Sequence, residues 1–432
     1  MRFNWHNPAA FALLLVAHGC GGPTRFEPDA PRLTDRQIVA THRAQVDTVL
    51  VTLFGDPDHP RLPEPLAEGF DLALLRQAAG PVVSHTPGET QGLFQRHCAR
   101  CHGVTGNGRG PTALYQHPYP RDFRRGIFKY KSTERGAPPT DADLHATLLR
   151  GAAGTAMPSF ALVKPSERVA LVQYVKFLAM RGQTERALID YVAEELDFNP
   201  TSGEVGPSGE FILESAETRA VVADVLEEIA RKWNQASRRV VAAASPSGLE
   251  TEERIAAGRA LFHDERRANC AKCHGVNGSG GVALKEFDDW NKRRRAFLDA
   301  TESAAARTAS LRERWRAAGS GPGREQLAGW LADEQATLRA RREVAATLLP
   351  PSPAEARVLA GGVLRGGCEP ADVYRLIHQD IAGTPMPGVA AALSESEMWD
   401  LVAYVRSLVK PLATPPAPPS AAPLATEVAA AP

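Results

Sequence analysis

The chain has 432 residues, 43% of them hydrophobic and 23% charged, the make-up of a folded globular protein longer than one compact domain needs. Lys and Arg total 50, as do Asp and Glu, so no polyelectrolyte field points to nucleic acid as a partner. Six cysteines in a chain of this length do not make a disulfide scaffold.

Met1-Arg2 opens the sequence, and an apolar run from Ala9 to Ala17 leads into His18-Gly19-Cys20. The run has the length of a signal-peptide core and falls short of the ~20 residues that span a bilayer. Ala17-His18-Gly19-Cys20 resembles a bacterial lipoprotein cleavage box. Residues 1–19 are therefore expected to be a signal peptide and Cys20 a lipid-anchored first residue on the periplasmic side of a membrane, the alternative being ordinary signal cleavage nearby that leaves a free Cys20 or none. No later segment is apolar and long enough to cross one.

Residues 20–84 read as a linker with short helices. Pro and Gly mark the stretch to about Asp35, and helices are expected over Gln37–Leu53 and Phe70–Ala79, around the breakers of Asp56-Pro57-Asp58-His59-Pro60. The first cysteine region, residues 85–182, closes on an amphipathic helix from Ser166 to Met180, with Gly182 as its expected stop. Helical patterns at Ala187–Glu195 and Ser215–Ala244, joined by a turn-rich stretch at 199–203, form a connector over 183–248. A second region, 249–412, ends in a capped helix from Ser394 to Leu408, and the Pro/Ala tail at 413–432 is expected to be disordered.

The two cysteine regions are repeats. Gly92-Leu93-Phe94 precedes Cys98 as Ala260-Leu261-Phe262 precedes Cys270. Thr155-Ala156-Met157-Pro158 mirrors Thr384-Pro385-Met386-Pro387, and Tyr174-Val175 mirrors Tyr404-Val405. The copies differ in length, because His102 and Met157 are 55 positions apart whereas His274 and Met386 are 112 apart. The surplus is mostly residues 288–348, charged and helical in pattern, expected to be a hairpin breaking near Gly319–Gly323. It carries Lys292-Arg293-Arg294-Arg295 with Trp290, Trp315 and Trp330. Two readings stand: a solvated helical pair whose tryptophans pack on the host domain, or a basic docking face for an acidic redox partner.

Cys98-Ala99-Arg100-Cys101-His102 and Cys270-Ala271-Lys272-Cys273-His274 both fit the haem c attachment pattern C-x-x-C-H. On one turn at a helix start, two thiols can meet the two vinyl groups of a porphyrin edge while the next imidazole points at the iron. Chance supplies about 0.002 copies of this pattern in such a composition. A redox dithiol needs no following histidine, and a zinc site needs a second ligand pair at short range. Each iron then wants a sixth ligand. Met157 and Met386, in matching proline-stiffened loops among only five methionines, offer thioethers, which favour ferrous iron and raise the potential.

With these elements each half resembles a class I cytochrome c domain. The resemblance implies an all-α fold of two tandem cytochrome c domains, the second with an inserted helical hairpin, and two covalently attached haem c groups with His102/Met157 and His274/Met386 as iron ligands. In that family the proximal histidine usually donates from Nδ1 to a proline carbonyl shortly downstream. Pro111 fits that place in the first half, and the second has no equivalent proline. Tyr115, Tyr119, Arg121, Arg124, Arg125, Lys129 and Lys131 are candidates to bond haem propionates, with a plain surface charge as the alternative for each. His97, His117, His145, His263 and His378 do not repeat between the halves, and Cys368 reads as a buried structural thiol. The function implied is electron transfer with redox partner proteins such as a respiratory complex, an oxidase or a small carrier. The alternatives are a dihaem redox enzyme of the peroxidase or thiosulfate-oxidising type and a fixed haem subunit of a larger respiratory complex.

Overall fold

Regular structure in the computed structural model, which describes residues 24–82, 90–196, 211–280, 282 and 284–409, is helical. The described residues hold no strand, and their three β-bridges are isolated. The signal-peptide segment with Cys20, the 199–203 turn and the tail fall outside the described residues. At the N-terminal end, α1 (Ala30–Asp35), α2 (Ala40–Phe54) and α3 (Leu72–Ala78) form where the sequence offers caps: Asp29 accepts from the Arg32 amide, and Asp71 from those of Ala73 and Leu74. The helix expected from Gln37 starts later, because Gln37 itself takes a left-handed φ of +55° between α1 and α2.

The first cysteine motif occupies α4 (Leu93–His97) and α5 (Ala99–His102). A capping box, in which Thr140 and Asp143 satisfy each other's backbone amides, starts α6 (Asp141–Arg150). The post of this half is α7 (Pro165–Tyr191), 27 residues long, with Leu171, Tyr174, Phe177, Leu178, Leu188 and Ile189 almost fully enclosed. It runs straight through Gly182, where a stop was expected. The bare Cα there lies against the backbone of Arg124, so this glycine serves close packing. The separate helix expected over 187–195 is the end of α7 and the π turn Val192–Leu196. Around this post α1, α2, α3 and α8 (Ala216–Asn234) complete one hydrophobic core from Phe26 to Trp233. The N-terminal residues are thus core, and not only linker. Beyond the turn Ala236–Arg239 the chain leaves the helical path expected to Ala244 and pairs back on the first half, Val241 N donating to Ser132 O at 2.9 Å.

The second half has its own core. Its α9 (Glu252–His263) crosses the last helix, α14 (Glu395–Leu408), at Gly258, whose Cα rests on the Asp400 carbonyl. Phe262 meets Tyr404 edge-on at 5.2 Å, and in the first half Phe94 meets Tyr174 at 4.9 Å with the rings tilted. Between the crossing helices come α10 (Ala271–His274), α11 (Asp289–Ala317), α12 (Pro322–Ala346) and α13 (Pro370–Gln379). α12 doubles back along α11 after a four-residue break. The pair leans on the first half through Arg341, which bonds Asp35 at 2.7 Å. Trp290 is buried between Gly383 of the second domain and Arg121 and Arg125 of the first, and Trp330, 47% exposed, does not pack on the second domain.

The crossing at Gly258 leaves no room for a side chain. Gly258→Val is expected to force α9 off α14 and destabilise the second half by about 2 kcal/mol, an overpacking cost, while Ala257→Val, one position away, costs less. Denaturant unfolding followed by circular dichroism measures both.

Candidate functional site

Each cysteine motif is a single turn followed by a loop built on left-handed glycines. In the first, His102 N donates to Cys98 O at 2.8 Å, Gly103 ends the turn at φ +78°, and Gly108 N returns to His102 O at 2.8 Å. In the second, His274 N donates to Cys270 O at 2.9 Å, Gly275 sits at φ +78°, and Gly280 N returns to His274 O at 2.7 Å. Cys98, Cys101 and His102, and likewise Cys270, Cys273 and His274, therefore sit at i, i+3 and i+4 of a single turn, in the same order and register.

The far side of each imidazole is fixed by a carbonyl. His102 Nδ1 lies 2.9 Å from Arg121 O, and His274 Nδ1 lies 2.8 Å from Arg357 O. A carbonyl oxygen only accepts, so in both rings Nδ1 carries the hydrogen and the Nε2 lone pair is left for a ligand. This corrects the expectation for Pro111. That residue is exposed on the outer side of α5, where Thr112 N holds the chain to Arg100 O, and the carbonyl arrives ten residues later. The second half has the same device, 83 positions from its histidine instead of 19, because α11 and α12 fall in between. Two residues on, Phe123 N bonds Gly106 O at 2.8 Å and Leu359 N bonds Gly278 O at 2.7 Å, so the registers agree. Phe123 also stacks on the His102 ring at 4.4 Å. The shared Arg-x-apolar spacing was the available signal, hidden by the insertion.

Burial sets the charge state of these groups. It pushes His102 down to about 4 and lowers His274, so both rings are neutral and able to ligate. It pushes Cys98 up to about 12 and Cys270 up to about 11. Such thiols are poor dithiol nucleophiles, which argues against a thioredoxin-like role.

The methionine loops repeat atom for atom. Thr155 N and Oγ1 both donate to Ala152 O, at 3.0 and 2.7 Å, and Met157 N donates to Thr155 Oγ1 at 3.1 Å. Thr384 bonds Ile381 O twice, at 2.9 and 2.7 Å, and Met386 N donates to Thr384 Oγ1 at 3.3 Å. Three residues beyond each methionine the chain ties back to α6 or α13, Phe160 N to Leu148 O and Val389 N to Ile377 O. Both methionines are half-buried, Met157 against the core that holds Cys98. Among the described residues no group of three or more His, Cys, Asp or Glu could hold a bare metal ion. Paired thiols, a neutral imidazole and a thioether loop fit haem c instead: His102 with Met157, and His274 with Met386, would hold the irons.

The weaker candidates separate. Tyr115 is 86% exposed, Arg124 is spent on Asp122, and Lys131 on Thr133 and Glu134. Tyr119 lies under Arg294. Arg121 and Arg125 stand over Trp290, and Lys129 faces Asp288 at 3.7 Å, where burial lowers it to about 7. Among the other histidines, His263 bonds two carbonyls, His117 faces Glu355, His145 meets Arg168, and His97 and His378 lie against Phe160 and Tyr374. Cys368 is half-buried, less enclosed than expected.

The sequence pattern of the family described as cytochrome c matches residues 89–179 and again 255–338. The chain carries two cytochrome c domains. The second match ends inside α12, whereas the Met386 loop and the α14 that crosses α9 lie beyond it. Among solved structures the chain is similar to one in a reducing HAO-like protein complex of Kuenenia stuttgartiensis, with 22% identity, 74% of this chain and 94% of that one covered, and a TM-score of 0.43. No curated protein matches. Cytochrome c domains imply covalently bound haem c and a redox role. Replacing Cys98 and Cys101 with serine, or Cys270 and Cys273, is expected to remove one covalent haem in each case, read as the loss of one haem mass from the intact protein.

Proposed function

We propose that this cytochrome carries electrons between redox partner proteins on the periplasmic side of a bacterial membrane, through two haems each held between an imidazole and a thioether. The observation that carries the reading is the repeat of the whole donor set: a neutral histidine anchored from Nδ1 and a methionine loop in identical register. Haem c supplies a one-electron iron couple. The protein fixes the ring of His102 or His274 and holds the soft sulfur of Met157 or Met386 in place, which favours the ferrous state. Held so, neither iron would keep a place for a substrate, which favours electron carriage over a dihaem enzyme.

The apolar Ala9–Ala17 run before Cys20 supports secretion and a lipid anchor, and among the described residues no helix is long and apolar enough to cross a membrane. Exposed Lys292, Arg293 and Arg295 on α11 suit an acidic partner surface.

The test is a visible redox titration of the holoprotein. Two ferrous c-type transitions are expected, each ferric haem showing the weak near-infrared sulfur-to-iron band and neither reduced haem binding carbon monoxide. Met157→Ala and Met386→Ala should each abolish one band and lower one midpoint. Carbon monoxide binding by the unaltered protein, or no change in either variant, would overturn the assignment.

A further inference from the structure

We infer that the two arginines whose carbonyls fix the proximal histidines also reach across the interface, so that each haem's potential depends on a side chain of the opposite half. The inference rests on the His/Met reading above. Arg357 gives its carbonyl to His274, in the second half, at 2.8 Å, yet its guanidinium lies on the first half's methionine loop: Nη2 donates to Ala153 O at 3.3 Å. A Cβ on Gly154, three residues before Met157, would stand 2.8 Å from that same Nη2. Arg365 adds a second guanidinium on the Gly154 carbonyl at 3.5 Å.

The opposite direction uses the equivalent residue. Arg121 gives its carbonyl to His102, and its guanidinium lies flat on Trp290, 3.2 Å from the ring centroid. Trp290 rests on Gly383, three residues before Met386, and the neighbouring Asp289 N donates to Gly383 O at 2.9 Å. Gly154 and Gly383 occupy the same place in the repeat, both left-handed, at φ +68° and +75°. Both are the point at which an arm from the other half touches down. One arm is the arginine itself, and the other is the arginine through a tryptophan that the insertion supplies.

The physical consequence is specific. A guanidinium donating to the turn that carries Met157 steadies the loop and would place a positive charge beside the iron that Met157 would hold. Reduction lowers the positive charge on that iron, so the cation favours the reduced state. Arg357 is thus a positioning residue for the haem of the other domain. Its backbone carbonyl survives any side-chain replacement, so the bond to His274 and the side-chain contact can be tested apart.

The experiment follows each haem of the ferric holoprotein by its shifted methyl signals in proton NMR, assigned by comparison with Met157→Ala, across a redox titration. Arg357→Gln is expected to lower the midpoint of the first haem, by about a tenfold change in its oxidised-to-reduced ratio, ~59 mV for one electron. Arg357→Lys should restore part of the shift. Arg121→Gln, which keeps the carbonyl on His102, should move the second haem. If Arg357→Gln does not fold, Arg365→Gln removes the neighbouring guanidinium on the Gly154 carbonyl and should shift the first haem in the same direction. A first-haem midpoint unmoved in the folded variant overturns the inference, whether or not the second haem moves. Absence of the sulfur-to-iron bands in the unaltered protein would instead remove the ligation reading on which it rests.

Discussion

The bond from each C-x-x-C-H imidazole to an arginine carbonyl is the constraint around which both sites are arranged. It fixes which nitrogen carries the hydrogen, aims the other, and does so where burial already keeps the ring neutral. To deliver that carbonyl, the chain after each glycine loop must return to the motif. In both halves it returns in the same way, with the apolar residue two positions on, Phe123 or Leu359, bonded to the loop glycine. The crossing helices, the loop and the methionine turn are then consequences of enclosing that ring.

Much of this was legible in the sequence because the chemistry is local. C-x-x-C-H fits within one turn, the Thr-x-Met-Pro turns are four residues long, and the Phe–Tyr pairs of the crossing helices fall in register with both. What was not legible depended on contacts between distant segments. Pro111 stood where a family habit placed it, but the turn at Thr112 faces it outward, and nothing near it in sequence reveals that the carbonyl comes from Arg121. Gly182 read as a helix stop because local propensity cannot see the Arg124 backbone packed against it.

The N-terminal segment makes the same point. Its proline-bearing start suggests a linker, yet Phe26 and Leu33 are buried with α7, and Asp29 sits between Arg32, which it caps, and Arg186. The first half is therefore larger than the region that resembles the basic family. The connector, too, is fastened to it at Ser132 before the second half begins. With Arg150 bonded to the Gly366 carbonyl and Gln379 to the Lys131 carbonyl, the two halves share further polar contacts on α6 and α13, the helices to which the methionine loops are tied.

The inserted helices bear on how the second site closes. An unstructured excursion of 83 positions, against 19, would raise the chain-entropy penalty for bringing carbonyl to imidazole by about 1.3 kcal/mol. The antiparallel pair largely cancels it. Ala354 N donates to Glu286 O at 2.7 Å and Ser352 N to Asn291 Oδ1 at 3.0 Å, pinning the two ends of the excursion side by side. The effective loop is short only while α11 and α12 are folded. Melting that pair would loosen the His274 ring from a distance, while the His102 ring, closed by its own short segment, keeps its place.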